Sequence, residues 1–562
     1  MHKILITLLS AAALAAQTLT PAQKEFDFRA MANVFATHYA PLDWKKELLN
    51  VDIRQLKPWL DRVTLTKTDI EFYEVCIDYA NSLQDTHVSF ILPSDFFAQL
   101  GVGTDVYEGA FLIDAINRTL LPAATYPFTF GDELLSIDGV DAKVLAQRLS
   151  RYVAQGNPRA QLRRSAQFLT SRGQSRFPDA PSLPESATVV IRRQSGDAAT
   201  YTMKWVKTGT PLAVGPLPTP RILPSASKSA GPSAKDDYLQ PLRELQHSGI
   251  LDRDLQGVNG VGSRNPIFLG SLAGDFTRRL GAAGADAFYS GTFRRGDLTI
   301  GFIRIPSFSP ASIPVALDQL ETEVRFMNAN TDGLIVDDMR NPGGNLCYAQ
   351  EIVRRLTPTP FDATGFRTRP FLSRVNGFYN LLIAAKANNA PQEVIEQYEV
   401  LYRELAAAAR EGRVLTYPLN LCASSIRREP WAGPSGDVLA YEKPIMVLID
   451  EFSTSSADSF ASMMQDSGRA ILFGYRTNGA GGNNIGFSAG PYSEGFVGVT
   501  VALQTRAMRA NPGYPASIYT ENIGVHPEVV DDYMTKDNLL RNGAPFVADF
   551  LEAMDAYIRQ RK

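Results

Sequence analysis

Pro444-Ile-Met-Val-Leu-Ile-Asp450-Glu-Phe-Ser453-Thr-Ser455-Ser456-Ala-Asp458 decides how the chain is read. An apolar run of strand length enters a serine-rich turn, and Ala457 to Gln465 then follows as a helix. A run apolar at every position suits a strand buried on both faces of a parallel sheet. A hydroxyl at such a strand-to-helix turn stands exposed, and the helix N-terminus favours negative charge beside it. The same residues are also ordinary helix caps. Asp458, three residues after Ser455, roughly fits a capping box.

The flanking sequence has the same grammar. Leu298 to Ile305, Gly333 to Asp337 and Ile471 to Gly474 read as strands, and Val315 to Asn328 and Tyr348 to Leu356 as helices. Pro314 is well placed to start the first of these helices. This alternation predicts an α/β core with a largely parallel sheet, interrupted at about 375–412 by a helical insert rich in Ala, Glu and Arg.

Upstream, about 100–208 reads as a smaller β-rich domain. Gly131-Asp132-Glu133-Leu134-Leu135-Ser136-Ile137-Asp138-Gly139 has the strand and turn of PDZ domains, although any β-turn-β unit could share that pattern. Residues 21–99 form an N-terminal region that is mainly helical. Phe72, Val75, Cys76, Tyr79 and Leu83 lie on one face at three- and four-residue steps, and Val88 to Leu92 then alternates as a strand does. Residues 209–284 read as a flexible linker or insert, with Pro, Ser, Gly and Lys dense in its first part. The α/β core is expected over 285–562.

The first 16 residues read as a secretory signal peptide. His2 and Lys3 are weakly basic, Ile4 to Ala16 is apolar, and Ala13 and Ala15 suit cleavage. The run is shorter than the roughly 20 residues of a membrane-spanning helix. The net charge of −3 and the absence of a long Lys/Arg run argue against a nucleic-acid partner. Three cysteines, Cys76, Cys347 and Cys422, allow at most one internal disulfide. No clustered His/Cys spacing points to a metal, and no cofactor is expected.

Two further stretches bear on chemistry. Asp337-Asp338-Met339-Arg340-Asn341-Pro342-Gly343-Gly344-Asn345 places glycines between a strand and a helix, where backbone N–H groups can point into a cavity as an oxyanion hole needs. A simple tight turn would use the same glycines. Asp85-Thr86-His87 contains one of only five histidines.

Together these stretches resemble the tail-specific (carboxyl-terminal processing) protease superfamily. The resemblance covers Gly301-Phe-Ile-Arg-Ile-Pro-Ser-Phe308, Gly333 to Gly344, Ser453 to Gly481, and Glu521-Asn-Ile-Gly-Val525-His-Pro527-Glu, in family order. It implies a ClpP/crotonase-like catalytic core with an inserted PDZ-like domain. It makes Ser455 the nucleophile of a serine endopeptidase, with Gly343, Gly344 and Ser456 as oxyanion donors. Dyad members of the superfamily place a lysine base downstream of the serine. Here that place is Ala480, and no Lys occurs between Lys443 and Lys536. A serine hydroxyl needs a neighbouring base. The tricorn-like branch and the chlamydial protease-like activity factors use a histidine and a glutamate instead. The resemblance to them implies a triad of Ser455, His87 and Glu521, with His526 and His38 as rival bases. An imidazole, unperturbed at a pKa of about 6.5, serves as a base near neutrality. The expected partner is a protein or peptide substrate, with no nucleic acid and no stable membrane insertion, and a homodimer is allowed. The alternative is a catalytically inactive binding protein on the same fold.

Overall fold

The computed structural model describes residues 18–212, 260–272, 274–493, 495–507 and 517–561. The expected signal peptide lies outside the described residues, as does most of the Pro/Ser/Gly-rich linker.

The C-terminal half is built on a seven-stranded sheet. Its spatial order is Phe276–Leu280, Tyr289–Arg295, Leu298–Arg304, Gly333–Asp337, Ile445–Ile449, Ala470–Gly474 and Val529–Val530. The first three strands form antiparallel pairs and the rest run parallel, with Ile300 opposite Gly333, Leu334 opposite Ile445 and Ile445 opposite Ala470. All five residues of Ile445–Ile449 are buried, as an all-apolar strand between two helical layers requires. Helices Ile313–Asn330, Leu346–Leu356 and Ser456–Asp466 cover one face, where Val324, Met327, Val336, Ile352, Val447 and Phe460 share a core. The C-terminal helix Ala544–Arg561 covers the other with Phe550, Met554 and Ile558. The sheet begins at Phe276, inside the stretch expected to be linker. This corrects the boundary at 285: Phe276 stacks on Tyr289 and packs on Phe293, contacts that alternation in one short run does not announce.

The N-terminal region is four helices, Pro21–His38, Leu42–Leu49, Lys57–Leu65 and Asp69–Asn81. They pack on a second, antiparallel sheet through Phe28, Phe35, Phe72, Tyr79, Val497 and Val499. In that sheet Ser89–Ile91, Gly365–Thr368 and Gly482–Ser488 all pair with Phe496–Thr505. The register, Ser89 opposite Gly498, joins the first hundred residues to the last hundred and brings the 85–87 turn beside the main sheet.

The inserted domain has the strands Val102–Tyr107, Ala110–Ile116, Glu133–Ile137, Ser186–Arg192 and Ala198–Lys204 in one sheet. Helices Ala142–Leu149 and Pro158–Gln167 accompany it. The helical insert is a hairpin, Leu372–Ala387 and Gln392–Arg410. Cys347 and Cys422 form a disulfide, and Cys76 is buried as a free thiol.

Candidate active site

The parallel strand Ile445–Ile449 ends at Asp450, and the chain turns sharply before the helix Ser456–Asp466. Ser455 sits at the apex with φ +61° and ψ −111°, a backbone state that a residue with a Cβ reaches only under strain. Asp458 holds the turn from below. Its carboxylate is fully buried and accepts the N–H groups of Ser455 (2.8 Å), Gly479 (2.9 Å) and Ala480 (3.1 Å), besides the Thr477 hydroxyl. Burial pushes this carboxyl above its usual range, and the donors oppose it. The capping reading of Asp458 is therefore half of the truth: the side chain caps, and in doing so it shapes the turn that presents Ser455.

The three serines of the turn have separate tasks. Ser453 is buried and donates to Asp338 O (2.8 Å). Ser456 donates to Gly344 O (2.8 Å). Ser455 is half-buried and lines a cavity together with His87, Thr86, Gln155, Gly344, Thr454 and Ser456.

The glycine turn meets this elbow directly. A Cβ on Gly343 would lie 2.6 Å from Thr454 O and 2.8 Å from Ser455 Cβ, so only glycine permits the approach. Gly343, however, donates its N–H to Asn341 Oδ1 at 2.9 Å. That corrects its assignment as an oxyanion donor, because the Asn341 side chain has claimed the proton. Gly344 and Ser456 remain on the cavity wall.

His87 reaches the cavity from the turn before Ser89–Ile91, and its backbone N–H donates to Asp85 Oδ1 (2.9 Å). Asp85 Oδ2 accepts the hydroxyls of Tyr39 (2.9 Å) and Thr500 (2.8 Å). The His87 ring is mostly buried, and its Nδ1 has no hydrogen-bond partner among the described residues. His38 bonds Val34 O and lies against Phe371 and Phe487, and His526 lines a different groove with Arg159 and Tyr475. Of the described histidines, His87 alone shares the cavity with Ser455.

Glu521 is fully buried near Asp85, whose charge acts on it. Its carboxylate does not bond the His87 ring. One oxygen accepts from Lys45 Nζ at 2.5 Å, the other from the Gly481 N–H at 2.9 Å. The direct Glu521–His87 bond expected of a triad is thus absent here: Lys45, on the helix Leu42–Leu49, and the Gly481 N–H each take one of the two oxygens. Sequence reasoning missed Lys45 altogether. It lies 476 positions from Glu521, and nothing in its local pattern marks it out. Ala480, in the place of the dyad lysine, is fully buried.

Among the described residues there is no cluster of His, Cys, Asp and Glu able to hold a metal, and no helix long and apolar enough to cross a membrane.

Comparison with known proteins agrees with this architecture. Residues 299–529 match the model of peptidase family S41, and residues 97–210 match a PDZ domain. A protein of Chlamydia trachomatis serovar D is 26% identical over 564 residues, covering 90% of this chain and 87% of that one. An uncharacterized protein of Chlamydia muridarum is 24% identical over 574 residues, covering 93% and 90%. Among solved structures, mature CPAF complexed with lactacystin superposes with a TM-score of 0.73 at 21% identity, covering 96% of this chain and 99% of that one. The chain therefore carries a peptidase family S41 domain preceded by a PDZ domain, on the fold of mature CPAF.

Proposed function

We propose that the chain is a secreted serine endopeptidase in which Ser455 is the nucleophile and His87 its base. The observation that carries this reading is the shared cavity: the one strained, half-buried serine of the elbow opens onto the one described histidine there. Ser455 Oγ attacks the peptide carbonyl while His87 takes its proton. The carbonyl oxygen, now negative, lies against the N–H groups of Gly344 and Ser456. His87 then gives the proton to the leaving amine, and water hydrolyses the acyl-enzyme by the same route. Glu521 takes part at one remove. It is fully buried, close enough to Asp85 for that charge to act on it, and Lys45 positions it. Secretion is supported by the apolar N-terminal run and by the Cys347–Cys422 disulfide, which persists in oxidising compartments.

A fluorophosphonate probe and a fluorogenic peptide test this. Ser455→Ala should lose labelling and lose turnover by on the order of 10⁶, with His87→Ala nearly as damaged, because such residues act as a unit. Full activity in His87→Ala with loss in His526→Ala or His38→Ala would sink the assignment. The other reading, an inactive binding protein on this fold, is not favoured, since an imidazole lines the cavity with Ser455 although the dyad lysine is missing.

A further inference from the structure

We propose that the cavity beside Ser455 takes an apolar substrate side chain on a wall of Leu346, Phe366 and Leu421, and that the Cys347–Cys422 disulfide holds this wall in place. The inference rests on the serine-peptidase reading of the same site and names the substrate residue it selects.

These three residues line the cavity with Ser455 and belong to a single apolar cluster. Behind them stand Phe378, Leu381, Tyr398 and Leu401 of the helical hairpin, so the wall is backed rather than free to collapse. The hairpin also fixes the backbone: Gln397 Nε2 donates to Leu421 O at 2.7 Å. Asn420 Oδ1 accepts from Gln350 (3.0 Å) and from the Cys422 N–H (2.9 Å). The disulfide joins the residues that immediately follow Leu346 and Leu421, with their Cα atoms 5.2 Å apart. It therefore ties the first turn of one wall helix to the loop that supplies the other wall residue. Leu346 is two residues from Gly344, the proposed receiver of the carbonyl oxygen. Both line the cavity with Ser455, so the wall faces the space that would receive the residue contributing the reacting carbonyl. An aliphatic or aromatic side chain gains by leaving water there, whereas a charged one loses hydration against Leu and Phe.

The test uses the whole chain and internally quenched peptides that differ only at the residue contributing the cleaved carbonyl, with the cut verified by mass spectrometry. Leu or Phe should exceed Asp and Lys in kcat/KM by tenfold or more. Leu421→Ala should lower the Leu peptide more than the Ala peptide, narrowing their ratio. Reducing the disulfide with a phosphine should narrow the same ratio severalfold in the unmutated protein. Equal rates for Leu and Asp would overturn the inference. A preference for Asp would do so too, assigning the cavity to Arg164, which also lines it. A ratio indifferent to reduction would remove the disulfide from it. Cleavage that persists in Ser455→Ala would remove the peptidase reading and this inference with it, and is distinguishable because the other outcomes leave Ser455 labelling intact.

Discussion

Ser455 occupies φ +61° and ψ −111° because the strand above and the helix below leave one short turn between them. Such a state costs on the order of 1–3 kcal/mol for a residue with a Cβ. Ser455→Gly should therefore be more stable than Ser455→Ala by about 1 kcal/mol. The relief of strain outweighs the 0.4–1 kcal/mol that glycine costs through the unfolded chain. Urea unfolding of the two variants decides it, and equal or reversed midpoints would show the turn to be unstrained. A second residue-scale effect is electrostatic. Burial, with the Asp85 charge, pushes the Glu521 carboxyl up to about 8 against the pull of Lys45. The folded state then keeps a proton that the unfolded chain releases near 4.5. This contribution is complete below that value and is lost as pH rises towards 8. Glu521→Gln should flatten the fall in unfolding free energy between pH 5 and 8, and an unchanged slope in that variant would assign it to other groups. The elbow at Ser455 was legible as a local pattern, an apolar strand running into a helix, whereas His87 was singled out only by the family resemblance; the structure places both on one cavity. Lys45 was not legible, and neither was the capture of Gly343 by Asn341, since both depend on which side chains long-range folding brings within reach.

Elements were legible where burial on both faces made the pattern continuous. Gly333–Asp337 has the bounds its apolar run predicts, Ile445–Ile449 starts one residue later than the run from Pro444, and Ser456–Asp466 is one residue longer at each end than expected. The antiparallel strands Gly482–Ser488 and Phe496–Thr505 were not legible. The first, Gly-Asn-Asn-Ile-Gly-Phe-Ser, has too few apolar residues to alternate, and only pairing with its neighbour makes it a strand. The hairpin Leu372–Ala387 and Gln392–Arg410 was visible as helix, but its attachment was not. The disulfide supplies that attachment by closing a loop of 75 residues around it. A loop of that length restricts the unfolded chain by roughly 4 kcal/mol. Replacing both cysteines by serine should lower the unfolding free energy by about 2–4 kcal/mol, read by urea titration under oxidising conditions. A loss below 0.5 kcal/mol would mean that the hairpin holds this region without the bond.

At the scale of the molecule, the PDZ domain is bolted to the catalytic sheet by buried charge. Arg163, on the PDZ helix Pro158–Gln167, is fully buried and donates to Asp105 of its own domain (2.9 and 2.7 Å). It also donates to Glu451 (2.8 Å) and to the Tyr533 hydroxyl (2.6 Å) of the catalytic half. Arg159, one turn earlier, reaches the same Glu451 at 2.7 Å and also Asp532. Burial acts to raise the Glu451 carboxyl, but Arg163 and Arg159 hold it below its usual range. Tyr533 in turn donates to Asp450 (2.6 Å), at the end of the central strand. Glu451 lies four residues before Ser455, and its carbonyl oxygen accepts from Asn478, which also bonds Gln155 and Thr86 on the PDZ and histidine sides of the cavity. The same residues that dock the PDZ domain therefore brace the elbow. Removing one member of a buried ion network strands the charges it leaves and costs about 3–5 kcal/mol. Arg163→Met should show that loss in urea, and peptide cleavage should fall with it while the protein is still folded. Glu451→Gln added to Arg163→Met should cost less than the two changes apart, because the stranded carboxylate is then gone. A coupling of at least about 1 kcal/mol is expected for groups in contact. Strict additivity in that cycle would mean that the domain is docked by its apolar surface alone.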